Sequence, residues 1–244
     1  YVEDTLLEQI SLSDGTVRVR IAVKDIYYYQ MLSEMSGISM ESEYELIQTM
    51  KEEKKICHYL DLPIQHANDE ILRRMGRRTS KQELIDKIDF LRSEMPDITL
   101  RTTLITGFPG ETKEQHKELL EFINDMEFDR LGVFTYSPEE GTPAAAMEHQ
   151  IDEEVKLDRQ AELMELQQDI SAELGERRIG QELLVMIEGK VADEDAYVGR
   201  SQADAPGVDG YVFVNTPETL VSGDFVRVKI TGALEYDLIG EISQ

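Results

Sequence analysis

Residues 98–111, ITLRTTLITGFPGE, leave the chain few options. An apolar, β-branched run passes into a Gly-Pro-Gly turn, and a helical pattern follows at once over residues 112–125. A buried strand that breaks into a glycine turn and opens a helix reads as one β-loop-α unit. Gly107 and Gly110 carry no Cβ, so backbone there can lie close to a neighbour. Pro109 stiffens the turn, and Glu111 with Thr112 stands at the helix start. In a parallel α/β sheet or barrel such a turn sits at the carboxyl end of its strand, where ligands bind. The glycines alone are equally those of an ordinary structural turn.

The flanking segments extend the unit in both directions. Residues 2–12 have helix-like spacing, 17–23 alternate like a strand, and 31–37 suggest a short helix after three consecutive tyrosines, Tyr27 to Tyr29. A helix is predicted over 43–55. The gap at 38–42 is too short for another strand, so a βα repeat would lack one there. Residues 56–62 read as a strand ended by Pro63, with Cys57 packed inside it. Asn68 or Asp69 then caps a helix running to Arg74. Arg73, Arg74, Arg77 and Arg78 form the densest basic cluster, which is either a solvated face or a site for an anionic ligand. Helices are predicted over 81–95 and 152–174, the latter with a narrow stripe of Val155, Leu163, Leu166 and Ile170. A further strand covers 130–136.

From residue 181 the pattern changes to five short strands in about sixty residues, and closing them into a small barrel would remove exposed edges. The expected division is therefore a βα domain over 1–177 and a β-barrel domain over 178–244. Hydrophobic residues make up 41% of the 244, enough for a real core, and no apolar run approaches the roughly 20 residues of a membrane helix. One cysteine excludes an internal disulfide framework and suits a reducing compartment. The net charge is −25, from 25 Lys+Arg against 50 Asp+Glu. A field of that sign repels nucleic-acid phosphate and favours basic partners or simple solubility.

The runs YLDLPIQHAND (59–69), MGRRTS (75–80), LRTTLITGFPGE (100–111) and VFTYSPEEGTPAA (133–145), followed by the five-strand module, resemble the radical S-adenosylmethionine (SAM) methylthiotransferases. The resemblance is closest to the RimO family and covers about three-quarters of the chain. It implies a partial, open TIM-like βα barrel followed by a five-stranded antiparallel β-barrel, the TRAM domain. It also implies a transferase that thiomethylates an aspartate of a small-subunit ribosomal protein. The MiaB-like enzymes, which modify tRNA adenosine, are the alternative. A non-catalytic acidic module that binds a basic protein is a third reading. PIQHAN at 63–68 resembles the RimO form, whereas MiaB-like proteins tend to carry Ser-Gly after the glutamine. From Arg178 onward there are 12 Asp/Glu against 5 Lys/Arg, a net of −7. A tRNA-binding surface should be basic, whereas a Lys/Arg-rich ribosomal protein is drawn to an acidic one.

By resemblance the cofactors are SAM and two iron–sulfur clusters, the radical-generating one held on a CxxxCxxC triad. That triad and the family's N-terminal domain are missing from this sequence, and a single Cys57 cannot supply cluster thiolates. The sequence therefore names no metal ligand and is expected to belong to a family member with segments omitted or truncated. Gly107, Phe108, Pro109, Gly110 and Glu111 match the turn that packs on adenine and ribose. Gln65 could hydrogen-bond the methionine or ribose portion. Arg101 is a candidate for a cofactor carboxylate or for pairing with an acid, and Tyr136 and Ser137 should face the cleft. His66 could orient a neighbour or carry a proton, and Asp25 is a weaker candidate at its strand end. A cytoplasmic monomer is expected, with a basic ribosomal protein as partner and no direct contact to nucleic acid or membrane.

Overall fold

In a computed structural model the described residues are 8–11, 17–20 and 40–243. Two short strands, β1 (Glu8–Ser11) and β2 (Val17–Arg20), pair antiparallel. The helix-like spacing over 2–12 is overturned at β1, where pairing with β2 decides the local structure. The expectations over 21–39, including Asp25, the three tyrosines and the helix at 31–37, lie outside the described residues.

Three parallel strands follow in the order β3 (Tyr59–Asp61), β4 (Thr99–Thr106) and β5 (Arg130–Thr135). Between them run α1 (Met40–Glu52, before β3), α2 (Asp69–Arg74), α3 (Lys81–Glu94), α4 (Lys113–Met126) and, after β5, α5 (Glu153–Glu176). Side chains alternate along each strand. Leu60, Leu100, Leu104 and Val133 point into the main core with Leu84, Ile88, Leu119, Phe122 and Leu163 from the helices. Tyr59, Asp61, Arg101, Thr103, Arg130 and Phe134 alternate with these and belong to the opposite face of the sheet. Strand β3 is shorter than expected: residues 56–58 lie before it, and at its other end Pro63 cannot donate to the ladder. Thr102 fills the gap, its hydroxyl donating to Leu62 O at 2.8 Å, and pairing resumes with Gln65 N–H to Thr103 O at 2.9 Å. Cys57 lies before the strand and is exposed, so it is not the packing residue anticipated from the apolar run. Helices α3 and α4 both begin with a reciprocal capping box, Ser80/Glu83 and Thr112/Gln115.

The five remaining strands, β6 (Glu182–Lys190), β7 (Ala196–Arg200), β8 (Val212–Asn215), β9 (Phe225–Ala233) and β10 (Leu238–Ile242), close into a barrel ordered β10-β8-β7-β6-β9. Four of the pairings are antiparallel and the fifth, β10–β8, is parallel. The wholly antiparallel barrel expected from sequence is thus refined to a mixed one. The reason is parity: strand directions cannot alternate all the way round a ring of five. Val185, Ile187, Val212, Val214, Val228 and Ile230 fill the interior.

The two parts meet through a row of charges. Asp61, Arg101 and Arg130 are register partners across β3, β4 and β5. The β7–β8 loop brings Asp204 and Asp209 against them. Arg130 Nη2 lies 2.7 Å from Asp204 Oδ1, and Arg101 lies 3.5 Å from Asp61 and 4.0 Å from Asp209. The Tyr59 hydroxyl donates to Asp209 at 2.7 Å. Burial, and secondly the Asp209 carboxylate, hold the Tyr59 phenol well above its usual range. Asp204 is held by Ser201, whose N–H and hydroxyl donate to Oδ2 at 3.0 and 2.7 Å. Among the described residues no helix is long and apolar enough to cross a membrane. Truncation at Arg130 strands the buried Asp204 carboxylate, so Arg130→Ala should lower stability by about 2–3 kcal/mol. Chemical denaturation measures this, and Arg130→Lys should recover only part of the loss, because an ammonium cannot keep the same fork geometry.

Candidate active site at the strand tips

The carboxyl ends of β3, β4 and β5 lie side by side. Ile105 N–H donates to Gln65 O at 2.8 Å, and Tyr136 N–H to Thr106 O at 2.9 Å. Gln65 stands at the β3 tip with φ +66°, a left-handed conformation unusual for a residue with a side chain. Such strain collects at functional sites because the surrounding fold must enforce it. Its side chain is half-buried, and Ser137 at the β5 tip is exposed.

The glycine turn is built around Glu111. This residue is 2% exposed. Its Oε2 accepts from the Gly107 N–H and, at 3.2 Å, from the Phe108 N–H. The carboxylate thus closes its own turn from within. Its Oε1 faces three basic groups: Arg159 Nη1 at 3.3 Å, His116 Nδ1 at 3.6 Å and His66 Nε2 at 3.9 Å. Arg159 also donates to Glu111 O at 3.1 Å. His66 Nδ1 accepts from the Asn68 N–H at 2.9 Å, which leaves the ring proton on Nε2, facing the carboxylate. His116 Nε2 is 2.8 Å from Glu162 on α5. Burial alone would raise the Glu111 pKa. The interactions with His116 and His66 and the charge of Arg159 outweigh it and hold the carboxyl down at about 2.

Both turn glycines have left-handed backbone, φ +72° at Gly107 and +78° at Gly110. What approaches them is protein. A Cβ at Gly107 would strike the aliphatic stem of Lys156, whose ammonium donates to Tyr136 O at 2.9 Å and pairs with Glu153 at 3.0 Å. A Cβ at Gly110 would fall 2.7 Å from Arg74 Nη2 and 2.9 Å from its Cζ. Phe108 turns inward onto Tyr136, the ring centroids 5.2 Å apart at 69°, with Ile71 beside them. Pro109 is buried too. Of the turn, Gly110 alone is half-buried and the rest is buried, and the Gly110 N–H donates to His149 O at 2.8 Å.

The nine residues expected to hold a cofactor therefore divide. Gln65, Gly107, Phe108, Pro109, Gly110, Glu111, Tyr136 and Ser137 come together at one end of the sheet. Arg101 lies near the start of β4, some 17 Å of strand from the turn at about 3.3 Å per residue. Of the two roles open to it, pairing with an acid is the one displayed, with Asp61 and Asp209. His116, Lys156 and Arg159 escaped the sequence reading. The Thr112-x-x-Gln115 cap fixes where α4 begins, and so places His116 in its first turn, but no apolar periodicity flags buried polar residues on α5. Among the described residues no three His, Cys, Asp or Glu side chains are grouped to hold a metal, and Cys57 stands alone. These residues do not fit an iron–sulfur cluster. The Gln65 amide and the Ser137 hydroxyl, which make no hydrogen bond among the described residues, suit a polar ligand.

Residues 6–123 match the radical SAM superfamily, and residues 179–242 match the TRAM domain. The chain is a radical SAM protein that carries a TRAM domain. Proteins named ribosomal protein uS12 methylthiotransferase RimO are its relatives. That of Lachnoclostridium phytofermentans is 60% identical over 80% of this chain and 44% of its own length. That of Desulfitobacterium hafniense is 54% identical over 82% and 45%, and that of Clostridioides difficile 44% over 97% and 50%. The chain belongs to the RimO family, and it spans about half the length of the curated relatives it matches.

The depressed Glu111 pKa sets a pH dependence. Because the folded value lies below the ordinary 4.5, the carboxylate's contribution is complete above pH 4.5 and is lost as pH falls toward 2. Glu111→Gln should cost about 3 kcal/mol at pH 7 and flatten the acid limb of the stability–pH curve over that window. Urea melts of both proteins from pH 7 to pH 2.5 check this.

Proposed function

We propose that this chain works as a SAM-dependent methylthiotransferase that thiomethylates an aspartate of ribosomal protein uS12. The observation that carries this reading is its 60% identity, over 80% of the chain, to a protein named for that activity. In this reading a radical SAM unit over 1–177 carries the cofactor and the barrel over 178–244 meets the substrate. The turn of Gly107, Phe108, Pro109, Gly110 and Glu111, with Gln65, Tyr136 and Ser137, holds the nucleoside portion of SAM. The half-buried Gln65 amide and the exposed Ser137 hydroxyl supply its polar contacts. Glu111 fixes the turn from beneath, and Arg101 serves the joint between the two units instead of the cofactor. SAM held by the glycine turn, Gln65 and Ser137 would supply the hydrogen-abstracting radical chemistry of this superfamily. Two clusters belong to the whole enzyme, with ligands that are not among the described residues.

The charge of the barrel favours a basic protein over tRNA as partner. Its excess of seven acids over bases attracts Lys- and Arg-rich surfaces and repels phosphate. Action on a ribosomal protein places the enzyme in the cytoplasm, and a monomer suffices for the site. Full-length protein, reconstituted with iron and sulfide and given SAM, a reductant and uS12, should add one methylthio group to an aspartate, read by mass spectrometry. No mass gain on uS12 would end this reading, and methylthioadenosine in added tRNA would replace it with the tRNA enzyme. Affinity for uS12 should fall as salt is raised from low to physiological concentration.

A further inference from the structure

The basic cluster at the end of α2 takes no part in the proposed function. In a chain with twice as many acids as bases, an arginine normally finds a carboxylate, and Arg101, Arg130, Arg159, Arg177, Arg178 and Arg200 all do. Arg74 has no ion pair or hydrogen bond among the described residues. Arg78 has none either, and Arg73 only donates to Asp69 O. Acids close by are turned elsewhere. Asp69 accepts from the Lys81 N–H, Glu70 from Gln115, and Glu118 from Asn68 and Lys81. The unpaired charge is also positioned. Arg74 is half-buried, and its guanidinium lies over Gly110, where any side chain would displace it. Arg73 and Arg78 are exposed to either side in sequence.

We propose that Arg74 is the substrate-binding residue that reads the carboxylate of the aspartate to be modified, with Arg78 adding long-range attraction. This rests on the function proposed above. A guanidinium presents a planar, two-pronged donor that matches one carboxylate, and partial burial strengthens the bond by limiting competition from water. The chemistry needs such a reader. A basic target protein is attracted by the acidic surface as a whole, and that attraction cannot single out one acidic side chain on it. A cation at the rim of the cofactor turn does so, because the carboxylate pinned there holds the neighbouring Cβ close to the reacting atoms. A single phosphate offers similar oxygens, but the field of a chain at −25 opposes a polyphosphate backbone.

The test titrates the full-length, cluster-loaded enzyme with a peptide containing the target aspartate and with the same peptide carrying asparagine, read by fluorescence anisotropy. Wild type should prefer the aspartate peptide about tenfold. Arg74→Ala should erase the preference while binding the asparagine peptide as before, and Arg74→Lys should keep a smaller part of it. Affinity for SAM without peptide, and the thermal midpoint, should not change. Retention of the full preference by Arg74→Ala overturns the proposal. So does loss of SAM affinity, which would assign Arg74 to the cofactor, or loss of binding to a short RNA with the peptide preference intact. If wild type binds neither peptide, the uS12 reading itself falls and takes this one with it, so the two failures are told apart.

Discussion

A single buried carboxylate organises the working end of the molecule. Glu111 accepts from two backbone N–H groups of its own turn and faces Arg159 and two histidines drawn from three separate elements. An ionised group taken out of water is tolerated only if its charge is answered. Meeting that demand ties β3 through His66, the start of α4 through His116, and α5 through Arg159 to one point. The tip of β4 is therefore held by electrostatics from below, while Phe108, Tyr136 and Ile71 seal it with apolar contact.

Much of this was legible in the residues. The β4–turn–α4 unit follows from an apolar β-branched run, two glycines and a capping box, all local signals. The five barrel strands follow from their alternation and turns. The parallel β10–β8 seam was not read, although an odd strand count in a closed ring demands one. Helix α5 was misjudged in a different way. Its expected stripe included Val155, which is exposed, and the face it buries combines Leu163 and Ile170 with Lys156, Arg159, Gln167 and Ser171. Hydrophobic periodicity cannot see a face made half of polar groups whose partners lie far away in sequence. The strand at β1 was missed for a related reason, since what supports it among the described residues is a partner strand.

The charge of the chain also does two distinct jobs. Most of the acidic excess is exposed and sets a long-range field that salt can screen. A smaller set of carboxylates, Asp204, Asp209 and Glu111, is buried and specific. Asp204 and Asp209 engage arginines at the starts of the strands, and Glu111 engages one at their ends. The same three-stranded sheet is thus clamped at its base by the barrel and at its tips by its own helices. The row of Asp61, Arg101 and Arg130 joins the barrel's Asp204 and Asp209 to the sheet beside it.

The parallel seam of the barrel has its own consequence. Strand β10 joins β8 on one side and β9 on the other, so it is the stave that turns a curved sheet into a ring. Were it to peel away, β8 and β9 would each expose a row of unpaired amides and carbonyls, open to strands from other molecules. The protection of this domain against self-association then rests on five residues, Leu238–Ile242, and on the side chains of Leu238 and Ile242 that anchor them to the core.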